Sequence, residues 1–138
     1  MAYWLFKSEP GTWGWDDQVK KGAPEQWDGV RNYQARNNMR EMKVGELGFF
    51  YHSIDEKRIV GIVRVAVGCH PDTTTDDARW ECVDVEAVEP LLKPVSLEQI
   101  KLEPELMDMV LVKNSRLSVQ PVSGAQWKQI CQMGGIKP

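Results

Sequence analysis

Apolar and polar positions recur along this chain at two spacings, which divide it into strands and short helices. Residues 3–7, YWLFK, are aromatic and aliphatic and predict an opening strand. Ser8-Glu9-Pro10-Gly11 ends it, because proline lacks an N–H and pushes the residue before it out of helical conformation. Residues 13–21 predict a helix closed by Gly22, and Trp13 and Trp15, two positions apart, cannot share one buried face of it. Ala35, Met39 and Met42 fall at i, i+4 and i+7, a helical stripe that must face a core, with Asn32 placed as the N-cap. Arg36, Arg40 and Lys43 repeat that spacing one position later and line a cationic stripe beside the buried one.

Period-two alternation then takes over. Residues 46–53 and 58–68 predict a hairpin turned by Ile54-Asp55-Glu56-Lys57. On its first arm Phe50 and His52 share one face, while Phe49, Tyr51 and Ser53 share the other. The second arm, RIVGIVRVAVG, is apolar on both faces, and Gly61 within it permits a bend or a close approach. Residues 69–78 are polar and predict a loop, either a lid or plain surface, and residues 80–88 predict a further strand. Ser96-Leu97-Glu98-Gln99 and Ser123-Gly124-Ala125-Gln126 are capping boxes that open two helices. The second of these buries Trp127, Ile130 and Cys131 and stops at Gly134-Gly135. Between them, residues 105–112 predict a helix burying Leu106, Met109 and Val110, and residues 116–120 a short strand.

Composition narrows what such a chain does. Its 138 residues suit one domain, spanning 1–138, with a core that needs no staples. Six tryptophans are many for this length and gather where flat surfaces are covered or stacked upon. Three cysteines without a CxxC predict a reducing, intracellular compartment, cytoplasmic or (in a eukaryote) nuclear. No apolar run reaches bilayer length and no signal peptide opens the chain, so no membrane partner is expected. A net charge of −3 argues against generic coating of nucleic acid; any such binding must be local. Two histidines and scattered cysteines lack metal-ligand spacing, and no GxSxG or GxGxxG is present, so no metal, cofactor or catalytic residue is expected.

The stretch WDGVRNYQARN, followed by FFYHS, resembles the EVE domain, a member of the PUA-like superfamily related to the YTH and ASCH domains. The thymocyte nuclear protein family belongs to the same group. YWLFKSEP, RWECVDVEAV and RLSVQPVSGAQW continue the resemblance in order over nearly the whole chain. The resemblance implies an α+β fold, a PUA-like mixed β-barrel of about five to six strands with flanking short helices. It also implies a non-catalytic domain that binds DNA or RNA by holding a modified base in a pocket. Lys7, Ser8 and Glu9 fall at the pocket end of the first strand, and His52 at a hydrogen-bonding wall. Arg116 and Gln120 fall near it, and Arg31 stands where YTH domains carry a pocket aromatic.

The residue chemistry adds candidate roles. Trp27, Tyr33 and Tyr51 are expected as walls, since aromatic faces replace the stacking that a flipped base loses. Ser8, Asn32, His52, Ser53 and Gln120 are expected to read its edge, with Glu9, Val30, Arg31 and Ser118 completing the pocket. Lys7, Arg36, Arg40, Lys43 and Arg116 are expected to meet phosphates. Each polar position has a plainer reading as a strand end, turn or solvated face. Two other classes also use such a pocket or such tryptophans: an enzyme on modified nucleotides and a protein-interaction module.

Overall fold

The computed structural model describes residues 1–137. The opening aromatic run forms β1 (Tyr3–Ser8), and the helix after it, α1 (Trp15–Lys21), ends on Gly22 at φ 62°. A two-residue strand, β2 (Glu25–Gln26), precedes α2 (Tyr33–Glu41), whose N-cap Asn32 accepts from the Ala35 amide. The hairpin follows as β3 (Leu47–His52) and β4 (Arg58–Pro71), then β5 (Glu81–Ser96). Both expected capping boxes form, opening α3 (Leu97–Lys101) and, after the short α4 (Val110–Lys113) and β6 (Val119–Val122), α5 (Gly124–Met133).

All six strands join one sheet in the order β2-β5-β4-β3-β1-β6, with β1 parallel to β3 and the other pairs antiparallel. The sheet is covered on both faces. Trp4, Phe6, Phe50, Val63 and Val83 face one core, with Ala35, Met39 and Met42 of the α2 stripe. Leu5, Phe49, Tyr51, Ile59 and Ile62 face a second core, closed by Leu106, Met109, Trp127 and Ile130. This double burial is why the strand sequences are apolar on both sides.

Several expectations on boundaries are corrected. The barrel is not a closed ring of strands: among the described residues no pairing joins β2 to β6. Between the two edges α2 packs on β4, β5 and β6, with Asn38 donating to the Val119 carbonyl at 2.8 Å. β4 runs past Gly68 to Pro71, and β5 runs through Pro90 and Pro94. β2 pairs only with Val85 and Asp84, so the outer edge of β5 carries no strand at either proline. The helix expected over 105–112 splits into a 3₁₀ turn (Pro104–Leu106) and α4, because Met109 is extended. Leu111, not Val110, is then the fully buried side chain.

Candidate functional site

β1 ends beside the loop that follows β2, and the gap between them is an open cavity of about 540 Å³. Lys7 and Ser8 line it from the end of β1, Glu9, Thr12 and Trp13 from the following turn, Glu25 to Arg31 from the opposite side, and Ser118 from the approach to β6. Trp27 is the anchor. Its amide donates to Val83 O at 2.8 Å, and its ring meets Phe6 and Phe50 edge-on with centroids 5.2 and 5.5 Å away. Only 7% of it is exposed. Trp13 is half-buried, its indole N–H held by Gln18 Oε1 at 3.0 Å, while Gln18 itself donates to Val85 O. Trp15 goes elsewhere, packed so closely over Gly61 that a methyl there would lie 2.6 Å from its ring.

Asp72 shapes the cavity's far side from 43 residues away. Its carboxylate accepts from the Gly29 amide at 2.9 Å, from Arg31 Nη1 at 3.2 Å, and from both the amide and hydroxyl of Thr74. Gly29 sits at φ 75°, where a side chain would strain the turn. Burial alone would raise the Asp72 carboxyl, but these donors outweigh it and hold its pKa at about 2. On the near side, Ser53 donates through both its amide and hydroxyl to Ser8 O, and the Ser8 hydroxyl donates to Trp13 O.

The rim is more acidic than basic. Glu9, Glu25 and Asp28 face it against Lys7 and Arg31. Burial, then Asp72 and Glu25, push the Asp28 carboxyl above its usual range. Burial lowers Lys7, whose ammonium donates to Ser115 O and lies 5.7 Å from the Tyr51 ring centroid. A cavity with indole walls and a carboxylate rim suits a flat heterocycle bearing amine donors.

The EVE domain family model matches residues 2–133. This chain belongs to that family. Mouse thymocyte nuclear protein 1 is 34% identical, the alignment covering 99% of this chain and 75% of the relative. The crystal structure of a protein from Agrobacterium tumefaciens superposes with a TM-score of 0.95 at 51% identity, covering 99% of this chain and 94% of that one. Human THYN1 protein, crystallised in complex with 5-methylcytosine-containing DNA, superposes with a TM-score of 0.89 at 31% identity, covering all of both chains. The fold is thereby the PUA-like α+β one.

In this EVE domain the residues expected at the pocket divide. Lys7, Ser8, Glu9, Trp27, Val30, Arg31 and Ser118 line the cavity; the others do not. Tyr51 points into the second core, 3% exposed, with its hydroxyl pushed up to about 12 by burial. His52 is structural: Nε2 accepts from the Trp15 amide at 3.0 Å, leaving the proton on Nδ1 to reach Glu56 at 3.0 Å. Gln120 is fully buried, with Nε2 donating to Leu117 O. Asn32 is spent as a helix cap and Ser53 as a latch on Ser8. Tyr33 stands outside, stacked on Trp80 with centroids 5.0 Å apart.

The expected phosphate stripe is broken. Arg40 is paired with Glu81, and Arg36 reaches back to Arg79 O at 2.9 Å. Lys43 and Arg116 are exposed and have no ion-pair partner among the described residues. Sequence reasoning missed Thr12, Glu25, Gln26 and Asp28 at the cavity and Asp72 behind it, and left Trp13 undecided. Asp28 alone carried a signal, as the acid within WDGVR. His70, Cys82 and Asp84 bring donor atoms within 4.8 Å of one another, but they are engaged already. His70 meets acceptors at both ring nitrogens, Pro71 O at 2.8 Å and Asp84 at 2.7 Å. Burial pushes the Cys82 thiol up to about 12, and its Sγ lies 3.7 Å from Gln26 Oε1, to which it donates.

Proposed function

We propose that this EVE domain binds DNA or RNA carrying a methylated base and reads that base without altering it. The observation that carries the reading is the open cavity of about 540 Å³ lined by two indoles, Trp13 and Trp27. Support comes from human THYN1 protein, alike over the whole of the crystallised chain and crystallised with 5-methylcytosine-containing DNA. A base leaving its stack loses a few kcal/mol, and contact with aromatic faces returns about 1–3 kcal/mol per base. The carboxylate rim favours bases with an exocyclic amine, cytosine and adenine among them, because carboxylates accept from such donors. Asp28 is the strongest candidate for that contact: it lines the cavity, and among the described residues its carboxylate has no hydrogen-bond partner. Three free thiols suit a reducing compartment.

Titration of matched oligonucleotides, one with 5-methylcytosine and one with cytosine, tests the proposal. The methylated strand should bind more tightly, and Trp13→Ala should weaken it by at least about five-fold, the equivalent of the smallest stacking loss. Trp13 is the better probe because Trp27 also supports the core. Equal affinity for strands with methylated and unmethylated cytosine or adenine would refute the reading.

A further inference from the structure

Beside the cavity, the exposed aromatics and arginines form one assembly. Tyr33, half exposed at the start of α2, stacks on Trp80 at an interplanar angle of 27°. Three guanidinium groups surround the pair: Arg31 lies 5.5 Å and Arg79 6.0 Å from the Trp80 centroid, and Arg36 lies 4.8 Å from that of Tyr33. Arg79 also donates to the Tyr33 hydroxyl at 3.2 Å. Arg31 and Arg79 have carboxylate partners, Asp72 at 3.2 Å and Asp77 at 2.6 Å. Among the described residues Arg36 has none. It donates to Arg79 O at 2.9 Å and to Asn37 Oδ1 at 3.2 and 2.8 Å. Three of the five N–H groups of an arginine are thus engaged, leaving one on each terminal nitrogen.

A planar cation held against a ring, its net charge unbalanced and two donors unspent, is arranged for one oxyanion group. Arg31 belongs to both places, lining the cavity and lying over Trp80, so the assembly continues the cavity without a gap. The charges also divide. Three carboxylates, Glu9, Glu25 and Asp28, line the cavity, which disfavours phosphate there, whereas Arg36 on the ledge is a cation with no carboxylate partner among the described residues. We infer that the Tyr33–Trp80 ledge takes the backbone phosphate next to the base in the cavity, with Arg36 as the residue that grips it. This rests on the proposed reading of the cavity. Tyr33 and Trp80 are positioning residues: Tyr33 is stacked on Trp80 and holds the Arg36 guanidinium 4.8 Å from its own centroid.

The test uses one single-stranded sequence in three forms, with 5-methylcytosine, with cytosine, and with an abasic site in that place. Arg36→Gln should weaken all three by a similar factor of at least about three, with the preference for methylation kept. The slope of log affinity against log salt should become shallower by about 0.7, one phosphate contact on a single strand. Arg36→Lys should restore the slope but not the affinity, because an ammonium keeps the charge and loses the fork. Unchanged affinity and slope in Arg36→Gln overturn the inference, and so does full restoration by lysine. Failure of the cavity reading looks different: the parent protein would bind abasic and methylated strands equally while the Arg36 effect persisted.

Discussion

Asp72→Asn probes how the cavity is built. The carboxylate is 3% exposed and ties three segments together: its own loop through Thr74, the turn at Gly29, and the guanidinium of Arg31. Asparagine keeps the shape but removes the charge and turns one acceptor into a donor facing N–H groups. The depressed pKa, about 2 against 3.8, reflects the fold's preference for the charged form. At 1.36 kcal/mol per unit that preference is on the order of 2–3 kcal/mol at neutral pH. A depressed carboxyl contributes stability above its unfolded pKa and loses it as pH falls towards its folded one. The contribution should therefore be complete near neutrality and about half gone by about pH 3. Urea unfolding at several pH values should find Asp72→Asn less stable by about 1–3 kcal/mol at neutrality, with the gap narrowing below about pH 4. A gap that is absent, or the same at both ends of the range, would refute the argument.

Other expectations follow from single contacts. Gly61→Ala should cost about 1–3 kcal/mol in chemical unfolding, since its methyl would lie 2.6 Å from the Trp15 ring, and Trp15→Phe in the same chain should recover part of that. Trp27→Ala should lower stability by about 3–5 kcal/mol, because its ring is a core contact for Phe6 and Phe50 as well as a cavity wall. A melting temperature close to that of the parent would show that the ring is not packed as described. His70 is raised first by its hydrogen bond to Asp84, so its stabilising charge is present below its ordinary value of 6.5 and lost as pH rises through the raised one. His70→Gln should accordingly cost most in mildly acidic solution and little in alkaline solution, and melting curves across that range that stay parallel would count against it.

What could be read from the chain was what its neighbours in sequence decide. The α2 stripe, the two capping boxes, the Gly22 stop and the two faces of β3 all depend on residues within a few positions, and each formed. The candidate site depended on choices that alternation does not carry. Period two separates Phe50 from Tyr51, but both faces of this sheet are buried, so it does not say which face opens to a cavity. Tyr51 and Gln120 were misplaced for that reason. Arg40 looked free because Glu81 is far along the chain, and Tyr33 looked like a wall because Trp80 is. Asp72, which holds the Gly29 turn, lies in a polar loop with nothing local to distinguish it.

The disposition of charge bears on how such a domain engages nucleic acid at all. With a net charge of −3, it lacks the broad basic field that draws a strand from a distance. Of the five cations expected to meet phosphates, Arg40 is neutralised by Glu81, and Lys7 is part-buried and bound to Ser115 O. Arg36 retains two donors, while Lys43 and Arg116 stand exposed at the surface. Affinity from so few contacts is small and only weakly dependent on salt. On the proposed reading, an unmodified strand, offering phosphates alone, would gain little by binding, and the base in the cavity would decide whether a complex forms. A stronger basic surface would hold every strand and dilute that choice, because phosphate contacts carry no information about the base. If both proposals hold, the acidic rim and the short cationic ledge are two parts of one selectivity: weak on what all strands share, and dependent on what one nucleotide presents.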